Sequence, residues 1–300
     1  MSKVSVITTV YNETLNQVKR AIESVKDQSS SIEYVQHVIV IDNPGYDYIE
    51  YLNDLPQKMN TDRFSLEIYV NDKNIGLAQS LNRAIKLSKF ELLARLDSDD
   101  WMNNDRLLQQ SAMFQEREVD IVYTDTLEYE GSRQNAVYLN SLNEDKVATL
   151  LPLRNFIIHS SVMFKKSILR EIGLYRDLVP AEDYDLWLRM LNSGKKFGYI
   201  PMPLTSREIR LESISNSDLN LQMRMADFVR YINKQGLDSI KEKPRKMDNQ
   251  KKLDKINKKI IKFRSTKGLK KIIIGTTSIF ILKSSINDVI YKLKLQFSSR

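Results

Sequence analysis

Apolar, β-branched runs alternate with amphipathic helical patterns through the first 115 residues, and this alternation restricts the fold more than any other feature. The strand-like runs are 3–12, 36–43, 65–74 and 90–100. The helical patterns are 15–28, 76–89 and 106–115, and in the first of them Val18, Ile22 and Val25 recur at helical spacing. Because strands that alternate with short helices form βαβ units, the sequence predicts an α/β fold with a mostly parallel central sheet flanked by helices.

The pattern loosens beyond about residue 120. It predicts a strand entering a hairpin over 120–131, a strand entering a helix over 159–169, a helix over 182–194, a strand that could close the sheet over 196–210, and a helix over 216–240. Trp187 and Leu188 are most simply core residues of the 182–194 helix. Asp185 and Arg189 are four residues apart, which predicts a surface ion pair.

Polar residues follow each of the four N-terminal strand patterns. They are Thr8 to Asn12, Asp42-Asn43, Asn71 to Asn74, and Asp97 to Asp100. In open α/β sheets, ligands bind in a crevice at the carboxyl ends of the strands. The sequence therefore predicts a site for a polar ligand at this edge of the sheet.

The motif DSDD at residues 97–100 places three carboxylates within four positions. On an extended chain Asp97 and Asp99 point the same way, and Asp100 begins the turn. Such a pair suits Mg²⁺ or Mn²⁺, which favour oxygen ligands and complete their shell with water and phosphate. The alternative is that these are turn residues, or cap residues of the helix near Asp105. Their place after a buried strand, beside other polar strand ends, favours the metal.

Asp42, Asp183 and His159 each have two interpretations. Asp42 could accept hydrogen bonds from a base or a ribose, or form an Asx turn in the sequence DNPG. Glu182 and Asp183 could complement the dipole at a helix start, or Asp183 could act as a general base whose pKa is raised near a polyanionic donor. Spacing alone favours the cap. A lone histidine such as His159 is more often structural than catalytic.

Composition limits the possible metal chemistry. The chain has no cysteine, so disulfides and thiolate zinc sites are excluded, and its two histidines leave a hard ion held by oxygen as the expected metal. Absence of cysteine fits a reducing cytoplasm. The start, MSKVSVITTVYNE, lacks the pattern of a signal peptide. The apolar run 272–282 is shorter than the roughly 20 residues that span a bilayer.

Charge is distributed unevenly along the chain. Residues 241–300 contain 18 Lys and Arg against 4 Asp and Glu, so they contribute +14 to a total of +8 and leave −6 for the first 240 residues. The pattern around 284–297 is that of an interfacial helix, or of one that packs on the body or on a partner. Aromatic residues are sparse in this segment, which disfavours stacking on nucleic-acid bases.

Taken together, the segments resemble family 2 glycosyltransferases, which have the GT-A fold and use nucleotide sugars. The resemblance covers about residues 3–215 and follows the family's order. The matching segments are VSVITTVYNE, VIVIDNPGYD, NDKNIGLAQSLNRAI, LLARLDSDDW, HSSVMFKKSIL and EDYDLWLRM. Thr9 replaces a common proline. Near the end, Glu208 and Arg210 stand where the family often has Arg and His, so Arg210 could contact diphosphate in place of a metal-binding His.

The resemblance implies a role for each matched position. Asp183 is implied as the base that deprotonates the acceptor hydroxyl, giving inversion at the anomeric carbon. Asp97 and Asp99 are implied to hold nucleotide and Mg²⁺ or Mn²⁺, with Asp99 the more direct ligand. The implied substrate-binding residues are Thr9, Tyr11, Asp42, Asn74, Arg83, Asp97, His159, Glu182 and Arg210.

These inferences predict a catalytic domain over 1–215, with a nucleotide-sugar half at about 1–100 and an acceptor half at about 101–215. A lysine-rich helical extension over 216–300 is expected to bind anionic lipid at the inner face of the cell membrane. The expected acceptor is a glycan or lipid-linked oligosaccharide of bacterial O-antigen, capsule or exopolysaccharide; no nucleic acid is expected, and an oligomer is possible. The alternatives are a non-catalytic lipid or nucleic-acid binder and a sugar nucleotidyltransferase, although the first turn lacks the glycines of the latter.

Overall fold

The computed structural model describes residues 2–30, 32–103, 105–130, 133–137, 144–208 and 219–236. The strands are β1 (Lys3–Val10), β2 (Tyr34–Ile41), β3 (Phe64–Val70), β4 (Leu92–Arg95), β5 (Trp101–Met102), β6 (Ile121–Glu130), β7 (Arg133–Val137), β8 (Met163–Lys165) and β9 (Phe197–Glu208). The helices are α1 (Leu15–Asp27), α2 (Ile49–Met59), α3 (Leu77–Leu87), α4 (Arg106–Glu116), α5 (Glu144–Leu150), α6 (Ile168–Ile172), α7 (Glu182–Asn192) and α8 (Leu219–Gln235). Gln28–Ser30 and His159–Ser161 are short 3₁₀ helices.

The described strands form one sheet in the order β3-β2-β1-β4-β8-β6-β9-β5, with β7 paired to β6. The first four are parallel, as the βαβ pattern predicts. Beyond β4 the sheet is mixed, because β8 runs antiparallel to both β4 and β6, whereas β9 runs parallel to β6. The parallel half thus brings the polar ends of β1, β2 and β4 to one edge.

Two apolar layers cover the two faces of the sheet. Alternating residues of β2 show the division: Val38 and Val40 pack with α3, whereas Ile39 and Ile41 pack with α1 and α2. Helices α7 and α8 lie in the first layer and α4 in the second. This two-sided burial explains why the parallel strands are continuous apolar runs.

Several sequence expectations are confirmed. The α/β class holds, the predicted core positions of α1 are buried, and β6 pairs antiparallel with β7 as the predicted hairpin requires. Trp187 and Leu188 are core residues. Within the described residues, no helix is long and apolar enough to cross a membrane.

Other expectations are wrong. Strand β4 ends at Arg95 and not at Asp100, so the DSDD motif lies in a turn. Asp185 and Arg189 do pair (Nε–Oδ2 2.8 Å), but the pair is buried because α8 covers it, with Asn233 donating to Asp185 Oδ1 at 2.9 Å. Helix α2 lies in a stretch for which the periodicity predicts no element.

Arg210 and the basic segment 241–300 lie outside the described residues.

Candidate active site

Asp42 follows β2 and organises the loop that lies beside the end of this strand. Its buried carboxylate accepts hydrogen bonds from Asn71 Nδ2 (2.7 Å) and from the backbone amides of Ile75 (2.9 Å) and Gly76 (2.8 Å). Gly76 has a φ of +85°, a conformation that favours glycine, and directly precedes α3. Asp42 therefore holds the loop after β3 against the end of β2.

The same loop gathers two other predicted residues. Arg83 donates from Nη1 to the carbonyl of Val70 (2.8 Å) and also contacts Asn71 Oδ1. Asn74 Oδ1 accepts from the Gly76 amide at 2.9 Å. Arg83 and Asn74 are thus linked to Asp42 through Asn71 and Gly76.

Thr9 and Tyr11 lie at the end of the neighbouring strand β1. Thr9 is buried, whereas the Tyr11 side chain is 47% exposed. Asn43, directly after Asp42, donates to the Tyr11 carbonyl at 3.1 Å. The structure therefore brings Thr9, Tyr11 and Asp42 to one edge of the sheet and leaves the Tyr11 ring open to solvent.

The DSDD turn is held from both sides. Arg95, buried at the end of β4, pairs with Asp97 Oδ1. The Ser160 hydroxyl donates to Asp97 Oδ2 (2.7 Å) and accepts from the Asp97 amide (2.9 Å). Burial raises the pKa of Asp97, but the Arg95 charge and the Ser160 hydrogen bond outweigh it, so the pKa is lowered overall. Asp97 is thus a fixed, ionised carboxylate.

The three carboxylates of the turn differ in environment. Asp100 is buried, and burial together with the charges of Asp97 and Asp99 raises its pKa well above the usual range. Asp99 is partly exposed and does not cap α4, which begins at Arg106 after Asp105. The repulsion among the three carboxylates is therefore reduced in two ways. Arg95 neutralises the charge of Asp97, and the raised pKa of Asp100 favours its protonated form.

His159 is held in a neutral state beside this turn. Its Nε2 lies 2.8 Å from the Tyr175 hydroxyl, and its ring packs edge-on against Trp187 at 6.0 Å. Burial, and secondarily the Arg95 charge, lowers the pKa of His159 to about 3. Tyr175 is itself fixed by Asn82, which bonds both its backbone amide and its carbonyl at 2.9 Å. His159 can donate or accept a hydrogen bond here, but it is not a proton carrier near neutral pH.

Asp183 and Glu182 open α7. Asp183 is partly exposed, and its Oδ2 accepts from Asn155 Nδ2 at 3.0 Å. Burial is the main cause that raises the pKa of Asp183 to about 6, and the negative charge of Asp97 contributes to this increase. Because the charge of Asp97 acts on Asp183, the two carboxylates lie near one another. Asp183 Oδ1 also accepts from the Tyr184 amide at 2.6 Å, so the capping interpretation holds in part.

Glu182 is buried beside the candidate base. Its Oε2 has no hydrogen-bond partner among the described residues. Burial raises the pKa of Glu182 to about 8, and the nearby charge of Asp183 contributes to the increase. A neutral carboxyl next to Asp183 can donate a hydrogen bond to a ligand.

The raised pKa of Glu182 predicts that the folded protein loses stability as the pH increases. The folded protein holds the Glu182 proton more tightly than the unfolded chain, so the stabilisation is complete below about pH 4.5 and is lost as pH rises through about 8. Glu182→Gln should therefore raise the Tm relative to wild type by roughly 10 °C more at pH 8.5 than at pH 5. Differential scanning calorimetry at both pH values checks this, and a difference independent of pH would contradict it.

Several contacts of the site were not predicted. These contacts are hydrogen bonds between residues that are 9 to 63 positions apart in the chain, and they involve Ser160, Asn155 and Asn71. Arg95 did carry a signal, since it is a single arginine within the apolar run LLARL directly before the carboxylates. A buried charge requires a paired partner, and Asp97 is two residues further on.

The sheet, with its parallel N-terminal half and mixed C-terminal half flanked by helices, is that of the GT-A fold. Crystal structures of S. aureus TarS 1–349 resemble it: the complex with UDP-GlcNAc aligns with a TM-score of 0.59 and 17% identity over 79% of this chain and 70% of TarS 1–349. At that identity the likeness shows the fold alone.

The chain belongs to glycosyl transferase family 2, whose sequence profile matches residues 5–173. The O-antigen biosynthesis glycosyltransferase WbnJ of Escherichia coli is 30% identical over 199 residues, which are 64% of this chain and 73% of WbnJ. The amylovoran biosynthesis glycosyltransferase AmsE of Erwinia amylovora is 26% identical over 204 residues, which are 66% of this chain and 73% of AmsE. The protein is therefore a family 2 glycosyltransferase related to enzymes of bacterial polysaccharide synthesis.

Proposed function

We propose that the protein is an inverting glycosyltransferase that moves one sugar from a nucleotide sugar, a UDP-sugar in particular, to a hydroxyl of a glycan or lipid-linked oligosaccharide. One observation carries the proposal: Asp183, a partly exposed carboxylate with a pKa near 6, lies near enough to the DSDD turn for the charge of Asp97 to act on it. UDP-GlcNAc is the ligand of the similar TarS fold, which supports a UDP-sugar donor. The names of WbnJ and AmsE support an acceptor in O-antigen, capsule or exopolysaccharide synthesis.

Asp183 is the general base of the proposed reaction. It takes the proton of the acceptor hydroxyl as that oxygen attacks the anomeric carbon, and the bond from that carbon to the diphosphate oxygen breaks. A single displacement inverts the configuration. A base with a pKa near 6 is largely ionised at pH 7 yet retains affinity for a proton. Asn155 holds Oδ2 of this carboxylate and so fixes its orientation.

The donor set of the DSDD turn fits a hard divalent cation. Asp99 is the proposed metal ligand, and Asp97 supports it, because the Arg95 and Ser160 contacts of Asp97 restrict that carboxylate. Mg²⁺ commonly binds proteins through one or two carboxylates and takes its other ligands from water and phosphate. When bound, Mg²⁺ or Mn²⁺ supplies positive charge for the departing diphosphate. Arg210 is proposed to contribute to the same neutralisation.

The strand ends on the other side of the crevice are proposed to bind the nucleoside. Tyr11 offers an exposed ring for base stacking, and Asp42 shapes the adjoining loop. The Asp42 carboxylate already accepts hydrogen bonds from Asn71 and Gly76. A base or ribose would therefore donate to a remaining lone pair of the carboxylate, or would replace one of these protein donors. Asn74 and Arg83 complete this nucleoside side, while His159 and Glu182 face the sugar side.

The basic segment 241–300 is proposed to bring the enzyme to anionic lipid. Its +14 charge complements the negatively charged inner face of the cell membrane, whereas the first 240 residues carry −6. A lipid-linked acceptor would be presented at this surface. Partition of the intact and shortened chains onto vesicles containing anionic lipid tests this proposal.

A panel of UDP-sugars, with hydrolysis and transfer as readouts, tests the central proposal. We expect Mn²⁺ or Mg²⁺ to support turnover, and Asp99→Asn to lower it about 100-fold or more, because electrostatic stabilisation of the leaving group is lost. Full activity in EDTA would remove the metal from the proposal. Absence of turnover or nucleotide binding across the panel would overturn the donor assignment.

A further inference from the structure

Arg20 of α1 contacts the DSDD turn from a helix that the proposed reaction does not otherwise use. Its Nη2 donates to the carbonyl oxygen of Asp99 at 2.8 Å. The same nitrogen lies 3.3 Å from Glu208 Oε2, at the C-terminal end of β9. One guanidinium thus links the backbone of the proposed metal ligand to two other elements.

The guanidinium of Arg20 also stacks on the residue that follows the turn. Its Cζ lies 3.9 Å from the ring centroid of Trp101, and the Trp101 and Tyr129 rings are 5.0 Å apart. Trp101 is in β5 and pairs with Ser206 of β9. A planar guanidinium can stack on a ring and donate in its own plane at the same time, which lysine cannot do.

These contacts act on the backbone of Asp99, at a different point of the turn from the contacts of Arg95 and Ser160. Arg95 and Ser160 hold Asp97, at the start of the turn. Asp99 lies two residues later, and the hydrogen bond from Arg20 fixes the peptide between Asp99 and Asp100, so it restricts the backbone from which the Asp99 carboxylate projects. The Arg20–Glu208 pair is partly exposed, so it contributes little to stability on its own. The contact to Asp99 is the one that bears on the site.

We propose that Arg20 is a positioning residue for donor binding: it holds the Asp99 backbone so that the Asp99 carboxylate is preorganised for the metal and diphosphate. This inference rests on the proposed function, because it assumes that Asp99 binds the metal–nucleotide group. A ligand side chain that must order on binding lowers affinity, so loss of Arg20 weakens binding more than it slows the proton transfer at Asp183.

Arg20→Met is the principal test, since methionine retains packing on Trp101 and removes the donors. We expect the Kd of UDP with Mn²⁺, measured by isothermal titration calorimetry, to rise about tenfold. The donor KM and the Mn²⁺ concentration for half-maximal turnover should rise with it, while kcat falls less than threefold. The acidic limb of the pH profile should be unchanged. Arg20→Lys, which retains one donor, should recover part of the affinity.

Two matched variants separate positioning from a general effect of charge. Lys19→Ala removes a charge from the same turn of α1, where Lys19 lies over Tyr51 at 5.7 Å, and should bind UDP with Mn²⁺ as wild type does. Glu208→Gln breaks the ion pair but leaves the Asp99 contact, and should change the Kd less than twofold. Thermal melts of all variants show whether each is folded.

The outcomes distinguish the two proposals. If wild type binds UDP with Mn²⁺ and Asp99→Asn weakens that binding, but folded Arg20→Met binds normally, the positioning role is overturned and the proposed function stands. If Glu208→Gln weakens binding as much as Arg20→Met does, the ion pair and not the Asp99 contact is responsible, and the inference is wrong. If wild type binds no UDP with Mn²⁺, both proposals fail.

Discussion

Asp183→Asn is expected to lower the turnover of sugar transfer by about 10² to 10⁴, the range that general base catalysis contributes. Asparagine retains the shape of the side chain and can still contact Asn155, but it cannot accept the proton of the acceptor hydroxyl. The Kd of UDP with Mn²⁺ should stay within about twofold of wild type, because the proposed binding site of the donor is the DSDD turn. Steady-state transfer assays and calorimetric titration measure the two quantities.

The pH profile gives a second readout of the same base. Asp183 must be ionised to accept a proton, so kcat/KM of wild type should fall about tenfold per pH unit below a pKa near 6. Asp183→Asn should lack this acidic limb in its residual activity. Asp54→Asn, which removes an exposed carboxylate from α2, serves as the control and should leave the profile unchanged. Retention of more than a tenth of the turnover by Asp183→Asn would show that another group is the base.

Much of the parallel half of the fold could be predicted, because its signals are local. Strands β1, β2 and β4 are mostly apolar and buried on both faces, β3 is a half-buried edge strand, and α1 and α3 have strong helical periodicity. Helix α2 escaped prediction since it buries only Leu52 and Leu55 and contains Pro56, which argues against a helix interior. The end of β4 could not be located from the run LLARLD, because Leu96 continues the apolar pattern after the last ladder residue, Arg95.

The candidate site was predictable as a set of positions but not as a set of contacts. The polar strand ends pointed to Asp42 and Asp97, because parallel strands end at one edge. The Asp97 carboxylate is held in part by a hydrogen bond from Ser160, which is 63 residues from Asp97 in the chain. The raised pKa of Asp183 was expected from a bound polyanion, whereas in the structure burial is its first cause. Such effects arise from tertiary packing, which a single sequence does not specify.

Removal of α8 is expected to destabilise the catalytic fold, although the family resemblance ends at about residue 215 and the extension was predicted to begin at residue 216. Met225, Val229 and Ile232 of α8 are each at most 2% exposed and pack in the apolar layer that contains α7. Burial of three such side chains contributes roughly 5 to 9 kcal/mol at about 1.5 to 3 kcal/mol each, which is comparable with the whole free energy of unfolding of a typical domain. Asn233 also supplies a hydrogen bond to the buried Asp185 carboxylate.

Two truncations separate this packing role from the proposed role of the basic segment. A chain ending at residue 236 should melt cooperatively, with a Tm close to that of the intact protein, and should transfer sugar to a water-soluble acceptor while its partition onto anionic vesicles falls. A chain ending at residue 215 should lose cooperative melting and activity together, because it exposes the apolar face of α7 and leaves the Asp185–Arg189 pair uncovered.

Val229→Asp in the intact chain should reproduce the loss of cooperative melting and activity without any truncation, since it buries an unpaired charge. A fully active chain ending at residue 215 would show that α7 and its base are positioned without α8.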